Sequence, residues 1–132
     1  GNGGVIDPRV GLFRDSFVAM ALILERMAEG GKLVPLADLI EDFPSLTIKK
    51  TKLVLPSGWS HSDIEESFHR VAHAFPQATV SRLDGVRVEC ADGWVLARAS
   101  NTEPIVRIIA EATDEQRAAA IIEQAREALL AQ

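Results

Sequence analysis

Two arginines, Arg98 and Arg107, enclose a run of short polar side chains in the stretch RASNTEPIVR. A guanidinium group is a planar fork that matches the oxygens of a phosphate, and Ser100, Asn101 and Thr102 place hydroxyl and amide donors between the two forks. Pro104 fixes its own φ and pushes Glu103 towards extended geometry, so the donors ahead of it sit on a constrained bend. Successive amides of such a bend form a concave nest for an anion. The chemistry that fits is the grip of a doubly charged oxyanion by Arg98, Ser100, Asn101 and Thr102, with Arg107 in support. An ordinary hairpin with solvated arginines satisfies the same residues, so the register matters. If 99 pairs with 105, the two arginines point to opposite faces and Arg98 ranks first. A one-residue bulge sets 98 opposite 107, and both then reach one anion.

Other candidates carry blander explanations. His69 and His73 have the helical spacing of a shared metal site, but they lie opposite the apolar stripe Ile64, Phe68, Val71 and Phe75, and no third ligand is evident. Ser60, His61 and Asp63 are the residue types of a triad, yet neighbours in a loop and helix start do not converge on one reacting atom. Ser62 with Glu65, and Thr113 with Gln116, fit capping boxes. Trp94 reads as a strand residue packing on a helix, and Trp59 as a loop anchor. Cys90, in the alternating VRVEC, reads as a small buried hydrophobe; a lone cysteine forms no internal disulfide and fits a reducing, cytoplasmic setting. No residue is assigned a catalytic role or a metal.

The elements that must position the loop follow from periodicity. Asp15 or Ser16 starts a helix with Phe17, Met20, Ile23, Leu24 and Met27 on its apolar face, ended by Gly30 and Gly31, and a short helix follows Pro35. FPSL, 43–46, is the candidate boundary. Beyond it come extended segments at 47–55, 79–83, 86–90, 94–99 and 105–112. One helix separates the first two segments, and a last helix carries Ile121, Ile122, Ala125, Ala128 and Leu129. Two single-striped helices cover one face of such a sheet, which gives a two-layer α+β sandwich. The net charge of −5 argues against a general nucleic-acid binder. The only basic run, KKTK, is split by a strand between two faces and suits a solvated edge. No run approaches the ~18 apolar residues of a membrane span. The opening GNGG has the look of a loop interior, so the expectation is a fragment.

RASNTEP resembles the phosphate-binding loop in the last domain of the α-D-phosphohexomutases, which include phosphomannomutases and phosphoglucomutases. The likeness extends through DGVRVECADGWVLARASNTEPIVRIIAEA, and GNGGVIDP with FRDSFVAMALILERMA is similar to the end of the family's third domain. The resemblance implies that 1–45 is a helical remnant of an α/β third domain and 46–132 is the fourth domain. That domain has an antiparallel four-stranded sheet with two helices on one face, like the TATA-box-binding protein. It implies that Arg98, Ser100, Asn101, Thr102 and Arg107 hold the phosphate of hexose 1- or 6-phosphate, with Asn2 near sugar hydroxyls. It implies magnesium and a phosphorylated serine in the parent enzyme, on an Asp-Gly-Asp-Gly-Asp-Arg loop and a first domain whose patterns do not occur here. The chain alone is then expected to bind without turnover, and its partners are hexose phosphates and the parent's first three domains, with no nucleic acid or membrane. The rival reading is a non-enzymatic α+β module that uses its open sheet face for a partner.

Overall fold

Alternating β-branched and apolar residues beyond the boundary build a single antiparallel sheet. A computed structural model describes residues 4–41 and 43–131. It divides between Pro44 and Ser45 into two units. In the first, α1 (Ser16–Ala28) is capped by Asp15, whose carboxylate accepts from the amides of Phe17 and Val18. A 3-10 turn at Glu29–Gly31 stops it at two positive-φ glycines, and α2 (Leu36–Glu41) follows. Neither helix has a buried residue.

The second unit holds β1 (Thr47–Val54), α3 (His61–Ala74), β2 (Thr79–Ser81), β3 (Val86–Cys90), β4 (Gly93–Ala99), β5 (Ile105–Ala112) and α4 (Glu115–Leu130). The sheet runs β1-β5-β4-β3-β2, all antiparallel, so it has five strands rather than four. Short β2, which falls in the extended segment read at 79–83, pairs along β3 with Val80 opposite Val88, so the five segments and not the four strands of the resemblance give the count. The fold is α+β.

Period-two alternation sends Val86, Val88, Val95, Ala97, Val106, Ile108 and Ala110 to one face, where all are fully buried. Phe68 and Val71 of α3, and Ile121, Ala125 and Leu129 of α4, close over them. Each such fully buried Ile, Val or Phe contributes about 1.5–3 kcal/mol. The helix ends satisfy each other: Gln124 donates to the Ala74 carbonyl at 2.7 Å, and Arg70 donates to those of Ala128 and Leu129. Arg117 grips Asp92 with two bonds, 2.7 and 3.1 Å, tying the β3–β4 turn to α4 and holding the Asp92 carboxyl below its usual range.

Two caps differ from the sequence reading. Helix α3 begins two residues earlier than SxxE suggests: Ser60 accepts from the Asp63 amide, and Asp63 accepts from the Ser60 amide. Ser62 lies inside the helix, and the Ser60 hydroxyl and amide hold the Asp63 carboxyl below its normal range. Helix α4 is capped by Asp114, not Thr113, since the carboxylate accepts from the Arg117 amide at 2.7 Å. Trp94 also differs. It lies on the helix-free face, donates to Glu111 at 3.0 Å and has the Arg87 guanidinium 4.1 Å above its ring.

Candidate functional site

The bend after β4 is held by its own backbone. Ser100 donates to the Ile105 carbonyl at 2.9 Å, the Ile105 amide closes on Glu103 at 2.8 Å, and Leu55 at the end of β1 donates to the Pro104 carbonyl at 3.0 Å. One of the successive amides of the bend, that of Ser100, is therefore occupied internally. Among the described residues the Thr102 amide makes only a long contact to the Ser100 hydroxyl, 3.4 Å, and the Asn101 amide has no acceptor. Asn101 and Thr102 therefore carry the amide donors of the bend that remain open.

The register settles the question of the arginines. Arg98 stands directly opposite Arg107, and Ala99 opposite Val106. The two guanidinium groups therefore share the helix-free face, and the ranking of Arg98 above Arg107 falls with the register behind it. Together with Ala99, Ser100, Asn101 and Thr102 they line a recess of 190 Å³. All five of the residues singled out for the loop meet there. Asn2 lies outside the described residues.

Directly opposed like charges destabilise a sheet, so their compensation is informative. Arg98 Nη1 is 3.0 Å from Asp84 Oδ2, and Arg107 Nη2 is 3.8 Å from Glu103 Oε2. Arg98 Nε is buried and has no acceptor among the described residues. Asp84 arrives through the β2–β3 turn, where Gly85 adopts φ 76° and lies so close to β4 that a Cβ would sit 2.2 Å from the Ala97 carbonyl oxygen. No local signal marks Asp84 as a partner of Arg98, because only the β3–β4 pairing brings them together.

The other candidates resolve as structure. His69 and His73 are exposed, and the described residues contain no cluster of three or more His, Cys, Asp or Glu arranged for a metal. Ser60 and Asp63 form the α3 cap, with His61 in the first turn. Cys90 is half-buried against the core, and burial pushes its thiol pKa up. No helix among the described residues is long and apolar enough to cross a membrane.

The family described as phosphoglucomutase/phosphomannomutase, C-terminal domain, matches residues 60–128, a little over half of the chain. The phosphoglucosamine/phosphogalactosamine mutase of Sulfurisphaera tokodaii is 36% identical over 86% of this chain and 24% of that protein. A phosphoglucomutase/phosphomannomutase of Thermococcus kodakarensis is 36% identical over 92% of this chain and 26% of its own length. A phosphopentomutase of the same organism is 30% identical, with 92% and 27% covered. The crystal structure of a phosphoglucomutase/phosphomannomutase family protein from Burkholderia thailandensis is similar with a TM-score of 0.59 at 30% identity, over 89% of this chain and 24% of that one. The chain thus spans about a quarter of the length of these relatives. By the match over 60–128, which includes the whole arginine-bracketed bend, the chain belongs to the phosphoglucomutase/phosphomannomutase family.

Proposed function

We propose that this chain is the phosphate-gripping C-terminal part of a phosphohexomutase, which interconverts hexose 1-phosphate and hexose 6-phosphate. The observation that carries the reading is the opposed pair Arg98 and Arg107 at a recess lined by Ser100, Asn101 and Thr102. Two forks and two turn amides fit the oxygens of one phosphoryl group. The relatives' names differ in the sugar, covering glucosamine, pentose and glucose or mannose, but share a phosphorylated one. A part that grips phosphate serves all of them.

In this reading the bend holds whichever phosphate is not reacting. Binding energy from that remote group is retained while the sugar presents its other end for reaction. Residues 1–45 then correspond to the end of the preceding domain, and 46–132 to the phosphate-binding domain. The reaction's phosphoserine and magnesium belong to segments whose patterns this sequence lacks, so the 132-residue chain binds without turning over. A cytoplasmic setting, where phosphosugars and a free Cys90 coexist, completes the proposal.

The test is a titration of the chain with glucose 6-phosphate and mannose 6-phosphate, followed by the amide resonances of Asn101 and Thr102. Saturable shifts in the millimolar range are expected, since most of a full-length site is absent. Arg98→Ala and Arg107→Ala are each expected to weaken binding at least tenfold and to similar extents. Shifts that appear equally with glucose would sink the reading.

A further inference from the structure

The row of cations does not stop at Arg107. On β1, Lys52 lies directly opposite Arg107, which lies opposite Arg98, so three positive side chains from adjacent strands share the helix-free face. A recess of 510 Å³, lined by Lys50, Thr51, Lys52, Arg107 and Ile109, adjoins the recess at the bend, and Arg107 lines both.

Charge decides what this row is for. Arg98 faces Asp84 and Arg107 faces Glu103, so the cup pairs two cations with two anions. A phosphate monoester brings a charge of about −1.5 to −2 at neutral pH, and two guanidinium groups already facing carboxylates do not offset it. Lys52 has no carboxylate within ion-pair reach among the described residues and is exposed. Its neighbour Lys49, on the helix side of the same strand, is held by Glu115 at 2.8 Å. Neighbouring strands are ~4.8 Å apart, a gap that a lysine's four-carbon stem bridges.

We propose that Lys52 is the third cation of the anion seat and supplies the uncompensated positive charge that a doubly charged phosphate ester requires. The proposal rests on the phosphosugar reading above and adds a specificity: the seat discriminates a phosphate ester from a singly charged ester of the same shape. Lys50, one row farther from the bend, contributes less.

The same resonances report the test, with the whole chain titrated at pH 8 by glucose 6-phosphate and by glucose 6-sulfate, which carries one charge. Lys52→Met keeps the stem and removes the charge. It is expected to weaken the phosphate ester about fivefold and the sulfate ester less than twofold, with Lys52→Arg restoring binding. Lys50→Met is expected to cost about twofold, and Lys49→Met nothing. Unchanged phosphate binding in Lys52→Met assigns the lysine to protection of the β1 edge and overturns the proposal. Equal losses for both esters also overturn it, because they mark general attraction and not charge matching. If Arg98→Ala abolishes binding while Lys52→Met leaves it intact, the phosphate grip stands and only the role of Lys52 falls.

Discussion

A buried donor without an acceptor costs a folded protein about 1–3 kcal/mol, and Arg98 Nε, which has none among the described residues, is a residue-scale feature that the proposed phosphate seat would explain. Asp84 holds Arg98 Nη1 at 3.0 Å. A bound phosphate and the Asp84 carboxylate repel each other while competing for one guanidinium. Asp84→Asn keeps the shape and removes the competing charge, so affinity for glucose 6-phosphate is expected to rise about threefold, with the ligand-free protein slightly less stable. Titration beside a thermal melt checks both; a drop in affinity would mean that Asp84 aims the fork. The polar residues of the bend were legible because they are contiguous and their donor chemistry is local. Asp84, 14 positions from Arg98, carries no signal of its own, and neither does the opposition of the arginines, which a one-residue change of register reverses.

At the scale of elements, the cup depends on how closely the β2–β3 turn lies against β4. Gly85 permits this with φ 76° and no side chain; a Cβ there would meet Ala97 O at 2.2 Å and Arg98 Cα at 2.8 Å, both backbone atoms that yield only if β4 moves. Gly85→Ala is expected to destabilise the chain by at least ~2 kcal/mol, roughly 10 °C in melting temperature for a unit of this size, through positive-φ strain and the clash together. Because one of the displaced atoms belongs to Arg98, glucose 6-phosphate affinity should fall with it, whereas Gly58→Ala, also at positive φ but with open space around it, should leave affinity unchanged. The strands and the apolar stripes of α3 and α4 were readable from period alone, since burial selects every second residue in one case and every third or fourth in the other. The helix starts were misread by one or two positions, because both Ser60 and Ser62, and both Thr113 and Asp114, are competent caps and only the path of the chain chooses.

Across the whole molecule the two units differ in what holds them. In 45–132, a core drawn from three central strands and two helices includes many fully buried residues, and exchange of their amides requires that core to open. In 4–41, α1 and α2 have no buried residue, and Phe17 is 80% exposed and Leu24 61% exposed on the apolar face of α1. A 13-residue helix is marginal without tertiary packing, whatever its cap. Phe17, Ile23 and Leu24 need a surface to cover, but the apolar face alone does not say what covers it. Hydrogen exchange at low protein concentration should therefore separate the units by at least ~100-fold in protection: slow for Val95, Ala97, Val106 and Ile108, fast for Met20, Ile23 and Leu24. Protection of α1 that matches the sheet would mean that its apolar face is covered in solution. Dilution would then distinguish the occupant, because cover by a second copy weakens as the protein is diluted and cover within the chain does not.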